Sequence, residues 1–505
     1  MGTIALMGAG LLAVAGGLPR DNPELQIGIG QRFGENARDT LTLSALPGDR
    51  LTLEFAETIA GDRPQRVTVP QVTVTIAAEN LPTPGERQTV ILSHHRSYEN
   101  AAASAFRLTA QGIPTDIVQP RRWQVWAKRD TFQTVPLRQV LMQELHAQGF
   151  ERASLETRRD RQRLGLSWQA GNFRYRRDRL TVRAGNGVVR VNGRPYGGRL
   201  VLQPNAFGTF TVVNWVPLET YLRGVVPHEI GSQAPFAAVQ AQAILARSYA
   251  LASRQRFVAD NYELCATTQC QVYRGLEGTS AYTDRAIAST RGLVLTHQGQ
   301  IIDALYSSTT GGITANYHDL WDGATRPYLK SVWDAPPPPP QRDLSDEANF
   351  QRFIALRQGF HEEGWSHFRW QKESSLDEIR KTLGAFLQMS GDRQPPPREI
   401  RSLQITKRAP SGRVQAIAVE TENRTLTIEK DEIIDAFAAP NSLLFYLEPK
   451  MSGPTLQGYR FRGGGLGHGV GMSQTGSYTL ARRGFSFAQI LDFYYTDTRL
   501  QPLPR

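Results

Sequence analysis

Only two cysteines, Cys265 and Cys270, occur in 505 residues, so no disulfide framework can hold this fold and packed cores must do so. After the first twenty residues no apolar run is long enough to cross a bilayer, and no transmembrane helix is expected in the mature chain. Blocks of like charge are missing as well. Lys and Arg number 58 against 47 Asp and Glu, yet the densest basic stretch, RRDRQRLGLSWQAGNFRYRRDR (158–179), alternates with apolar residues as strand faces do. A scattered net charge of +11 favours anionic surroundings, but no nucleic-acid recognition motif accompanies it and no nucleic-acid partner is expected. The glycine-rich stretch FRGGGLGHGVGMSQTG (461–476) lacks a following GK[ST] and runs G-x-G-x-G. It is therefore neither a P-loop nor a dinucleotide fingerprint, and its one histidine is a poor metal site.

What is present begins with MGTIALMGAGLLAVAGGLPR (1–20), a short apolar run leading into an A-x-A pattern. It reads as an export signal lacking its positive start, with a buried helix as the rival reading, and places the protein in the periplasm or cell wall. Residues 21–89 alternate apolar and polar positions between Gly, Pro and Asp turns, as β-strands do. Residues 90–160 read β-α-β-β-α-β, with helices predicted over 97–112 and 135–149, each ending at its glycine. That order predicts a small α+β module. It resembles the SPOR domain, and the resemblance implies binding of glycan strands stripped of their stem peptides. Residues 161–505 return to strands around one long helix, interrupted at about 336–400 by an insertion that a proline run (336–340) introduces. Within it Ser375 and Glu378 predict a capping box. The fold class expected is α+β, β-rich and multi-domain.

The two cysteines, in YELCATTQCQVY, read most simply as one local disulfide in an exported chain. Zinc is the rival reading and needs a further His or carboxylate. No cofactor is expected otherwise.

The chemistry gathers in VPLETYLRGVVPHEIGSQAPFAAVQAQAILARSYAL (216–251). Ser232 and Pro235 predict a helix start, and Val239, Ala243, Ala246 and Ala250 form a small-residue face for close packing. Glu229 falls in the turn that would enter this helix, where the dipole lowers a carboxyl pKa and burial raises it. Glu219 reads as structural, and Asp319 and Asp322 in HDLWDG read as a turn.

These segments, with CQVYRG (270–275), LYSSTTGG (305–312), RPYLKSVWD (326–334), GLGHGVGMSQTG and ILDFYYTDT, resemble in sequence and order the family of stage II sporulation protein D and the amidase enhancer LytB. The resemblance implies one of two functions. The first is a peptidoglycan lytic transglycosylase that cleaves the β-1,4 bond between N-acetylmuramic acid and N-acetylglucosamine in stem-free strands, leaving 1,6-anhydro ends. The second is a non-catalytic activator of a cell-wall amidase. Glu229 matches the catalytic glutamate. Arg247, Gln271, Tyr306, Ser307, Ser308, Gly311, Gly312, His468, Ser473 and Gln474 are the expected substrate-binding residues, with the glycines letting backbone approach the sugars. Some members bind zinc through a His and two cysteines near CQVY; here Gln269 stands where that His is frequent, which argues against the metal.

Overall fold

The computed structural model describes residues 22–57, 63–336 and 343–503. The apolar segment 1–20 and most of the proline run lie outside them. Among the described residues no helix is long and apolar enough to cross a membrane.

The alternating segments pair as expected. A seven-stranded sheet runs in the order Leu264–Cys265, Glu24–Phe33, Phe210–Pro217, Arg199–Pro204, Leu180–Ala184, Leu51–Ala56, Pro64–Val69. Its inward positions (Leu25, Ile27, Leu51, Leu53, Leu180, Val182, Leu200, Leu202) are fully buried, the burial that a period of two produces on one sheet face. A second sheet is organised by one 25-residue strand, Gln71–His95. Along one edge it pairs with Ser154–Ala170. Along the other its first half pairs with Thr40–Ser44 and its last part with Trp123–Ala127.

The module lies at the far end of that strand. Helices α1 (Tyr98–Ala110) and α2 (Val135–Ala147) start on Ser97 and Thr134, whose hydroxyls accept the N–H groups of Asn100 and Leu137. Both stop within two residues of the predicted ends, before Gly112 and Gly149 in left-handed conformation. Its four strands lie in the spatial order Ser154–Ala170, Gln71–His95, Trp123–Ala127, Thr115–Val118, all antiparallel. This is a split β-α-β arrangement. The strand Gln71–His95 passes residue 90 without a break, so the module grows out of the N-terminal sheet. Its core also reaches into the rest of the chain: Trp123 is fully buried and packs on Phe257, ring centroids 5.0 Å apart and planes tilted by 46°.

The helix predicted to start at Ser232–Pro235 is α4 (Phe236–Ala252), and a further helix, α3 (Leu218–Glu229), precedes it. Ser232 does not cap α4; Pro235 holds that position without a side-chain bond. Twelve of the seventeen residues of α4 are buried, so it is enclosed on nearly every side. Helix α5 (Ala281–Ser289) packs on it. The insertion contributes α6 (Glu347–Ala355), the strand Trp370–Ser375 and α7 (Leu376–Met389), which opens on the predicted Ser375–Glu378 capping box. Its strand joins Thr455–Gly463 and Phe445–Ser452 in a three-stranded sheet, so the insertion is woven into the core. After α8 (Glu432–Ala436) come α9 (Gln474–Arg482) and α10 (Phe487–Tyr494), which flank α4.

Candidate active site

Glu229 is the last residue of α3 and lies seven positions before α4 begins. This corrects the expected placement. A carboxylate at a helix C-terminus faces the negative end of the dipole, so burial and dipole act together instead of in opposition. Its carboxyl opens into a cavity of about 480 Å³. Burial raises its pKa from 4.5 to about 7, against the lowering effect of hydrogen bonds from the Val272 N–H, Tyr306 and Gln474. The Val272 N–H donates to Oε1 at 2.6 Å.

Each of those partners is held by a second layer. Gln271 is fully buried, accepts from the Tyr221 hydroxyl at 3.1 Å and donates to the Tyr306 hydroxyl at 3.0 Å. It therefore aims Tyr306 at Glu229 and does not reach substrate, contrary to expectation. Gln474 donates to the Glu229 carbonyl at 2.9 Å and to Gln242 at 3.3 Å. A two-residue parallel bridge, Tyr306–Ser307 with Met472–Ser473, brings the YSSTTGG and GMSQTG motifs side by side. It is this bridge that places Tyr306 and Gln474 on either side of one carboxyl.

Tyr306, Ser307, Ser308, His468 and Gln474 line the cavity with Glu229. The Ser307 hydroxyl is buried and finds no partner among the described residues, which leaves it available to a ligand hydroxyl. His468 behaves differently from expectation. Its Nδ1 accepts the Val470 N–H at 3.0 Å, and its other nitrogen donates to the Tyr306 carbonyl. Burial lowers its pKa to about 4, so the neutral ring braces the loop and presents its surface to the cavity.

Four expected contacts are moved elsewhere by the structure. Arg247 is fully buried and makes a bidentate pair with Glu219, at 2.7 and 2.9 Å; it locks α4 to α3. Gly311 and Gly312 have positive φ, and a Cβ on them would strike Leu444 and the Phe360 ring. Ser473 caps α9 and donates to the buried carboxylate of Glu362. The loop glycines are likewise turned towards protein. A Cβ on Gly465, Gly469 or Gly471 would meet the Thr309 carbonyl, Arg413 or the Leu305 carbonyl, while Gly467 meets nothing closer than Ser307 at 3.5 Å.

Several participants were not picked out from the sequence. Glu362, in the insertion, accepts from the Thr310 and Gly312 N–H groups and from Ser473, fastening both motif loops at once. Burial, then the nearby Asp334 charge, raises its pKa. Trp321 lines the cavity, packs on His468 at 5.4 Å and donates to Asp431. Glu99, from α1, lies on the same wall; burial alone would raise its pKa, but Arg256 beside it holds it below the ordinary range. No motif marks these residues, because they come from segments far apart in the chain. Asp319 closes its own turn with Asn316 and takes the Ser411 hydroxyl, and Asp322 pairs with Lys430.

Cys265 and Cys270 are joined in a disulfide. The residues here do not fit a zinc ion: both sulfurs are taken, and the Gln269 amide oxygen accepts the Trp123 indole N–H at 3.2 Å. Among the described residues no group of three His, Cys, Asp or Glu side chains is placed to hold a metal.

Comparison with known proteins agrees with this arrangement. Residues 206–297, which carry α3, α4, Glu229 and Gln271, match the family described as Stage II sporulation protein. Residues 315–471, which contain the insertion, match a domain of unknown function, DUF8618. Stage II sporulation protein D of Bacillus subtilis is 29% identical over 303 residues, 56% of this chain and 74% of that protein. The Amidase enhancer of the same organism is 27% identical over 296 residues, covering 55% of this chain and 40% of the relative. An uncharacterised protein of Brachyspira hyodysenteriae is 27% identical over 311 residues, 60% of this chain and 72% of its own length. With the motifs in order and Glu229 set in its cavity, residues 206–297 carry the Stage II sporulation protein domain, and more than half of the chain is similar to stage II sporulation protein D and to the Amidase enhancer.

Proposed function

We propose that this protein is exported and acts on the bacterial cell wall as a lytic transglycosylase of stem-free peptidoglycan strands. The observation that carries the reading is a glutamic acid held protonated up to about pH 7 at the edge of a cavity with mixed polar and apolar walls. A raised carboxyl pKa is what a general acid working near neutrality needs. Protonated Glu229 gives its proton to the oxygen leaving C1 of N-acetylmuramic acid as the glycosidic bond breaks. The resulting carboxylate then takes the proton of that sugar's 6-hydroxyl while O6 bonds to C1, which closes the 1,6-anhydro ring and restores the acid. No water enters, so the second carboxylate of a hydrolase has no task to perform. The other carboxyls on the cavity wall are engaged, Glu99 by Arg256 and Asp431 by Trp321 and Asn100.

Incubation with stem-free glycan should yield 1,6-anhydro-muramyl products by mass spectrometry, and Glu229→Gln should lower their rate roughly a hundredfold to ten-thousandfold. Because the proton must be present at the start, the rate should decline above about pH 7. Wild-type protein that releases no anhydro product would sink the enzymatic reading. The likeness to an Amidase enhancer supports a second one, in which the cavity grips glycan and activates an amidase. An increase in amidase turnover by Glu229→Gln as large as by wild type would favour it. We further propose that the module helps hold the strand.

A further inference from the structure

The catalytic cavity does not end at Glu229. A second cavity of about 510 Å³ adjoins it, and Glu99, Arg256 and Leu305 stand on the walls of both. The Glu99–Arg256 ion pair stands between them, and its guanidinium also lies over the Tyr98 ring at 4.5 Å and the Tyr249 ring at 5.2 Å. One wall of the second cavity is α1 of the module; the others are the end of α4 and the segment 303–326.

Its lining says what kind of ligand suits it. Ala102 and Ala103 line one side of it with small side chains that leave room for a ligand, and Phe106 stands on the same wall 77% exposed. Tyr98, partly exposed on α1, supplies a second aromatic surface, while Tyr317 lies buried under Arg326 at 4.0 Å and closes the floor. The ionised groups of the lining cancel: Glu99 faces Arg256, Asp303 faces Arg326, and Asp322 faces Arg107. With acids and bases matched there is little net field to select an anion or a cation. Apolar ring faces bordered by fixed donors and acceptors suit a ligand with flat apolar faces and hydroxyl-rich edges, which describes a pyranose.

We infer that the second cavity is a continuation of the glycan-binding cleft, in which α1 of the module receives sugars of the strand beyond those at Glu229. The inference rests on the glycan reading of the catalytic cavity and adds to it a direction and a length. The strand passes the Glu99–Arg256 pair and leaves across Phe106. Contacts to these remote sugars help to position the bond that breaks, so long strands should be better substrates than short ones.

The test compares a stem-free tetrasaccharide with a decasaccharide. Phe106→Ala should lower kcat/KM on the decasaccharide about tenfold relative to the tetrasaccharide, and Phe106→Tyr should restore most of it. Since Phe106 is exposed, circular dichroism and Tm should be unmoved. In a Glu229→Gln background, calorimetric affinity for the decasaccharide should fall with Phe106→Ala by a similar factor. Equal effects on both lengths, or none, would overturn the inference while leaving cleavage by wild type intact. If wild type made no anhydro product but decasaccharide binding still depended on Phe106, the cleft would stand and the enzymatic reading would fall. Absence of decasaccharide binding in every variant would remove both.

Discussion

Glu229 holds its proton to about pH 7 when folded, against about 4.5 when free in solution. Between those values the folded protein binds more protons than the unfolded chain, so this group's contribution to stability falls as pH rises through the window. Glu229→Gln should therefore raise stability at pH 8 by on the order of 1–3 kcal/mol and change little at pH 4, which denaturant melts at both values would measure. An equal shift at both pH values would show that the carboxyl is not the source. The motif made Glu229 legible in the sequence, together with Tyr306, Ser307, Ser308 and Gln474 on the same cavity. The residues misread are those whose partners are distant in the chain. Arg247 was expected to bind substrate and instead lies fully buried on Glu219, 28 positions away; sequence shows that an arginine needs a partner without showing which one. Gln271 was misread by one shell for the same reason.

At the scale of elements, the glycine-rich loop serves the protein's own backbone more than the ligand's. Its residue 470 bridges Ala315 and its residue 466 bridges Thr309, which requires close backbone approach at glycines with positive φ. Gly471→Ala would place a Cβ 1.9 Å from the Leu305 carbonyl, whereas Gly467→Ala meets only Ser307 at 3.5 Å. The first substitution should abolish soluble, folded protein. The second should fold with a Tm lowered by only a few degrees, since it keeps the positive-φ strain of about 1 kcal/mol but has the space. Comparable yields and Tm values for the two would contradict this account. Helix starts were legible at Ser97 and Ser375, where the hydroxyl caps the helix, but not at Ser232, which caps nothing. The helix α3 ahead of Pro235 was not legible as a helix of its own. Pro227 sits inside the last turn of α3, which ends two residues later.

At the scale of the molecule, the small module folds as part of the whole. Its Trp123 is fully buried between Tyr98 and Phe257, with the indole N–H on Gln269 beside the disulfide. Trp123→Ala should cost about 3–5 kcal/mol. The transitions followed by near-ultraviolet and far-ultraviolet circular dichroism should stay coincident, because module and core share this packing. Two resolved transitions would mark an independently folding unit. The β-α-β-β-α-β order could be read from the sequence; that its first and last strands continue into the neighbouring sheet could not, since alternation looks alike in a strand that ends and in one that runs on.

The pairing of Gln71–His95 with Ser154–Ala170 carries a consequence for transplantation. The chain enters and leaves the module along one antiparallel ladder, with Gln88 opposite Thr157 and Thr89 opposite Glu156. A module borrowed from a relative can be grafted only by cutting both strands at facing rungs. A splice one residue out of step would turn every side chain beyond it to the wrong face of the sheet and swing α1 away from the cleft it lines.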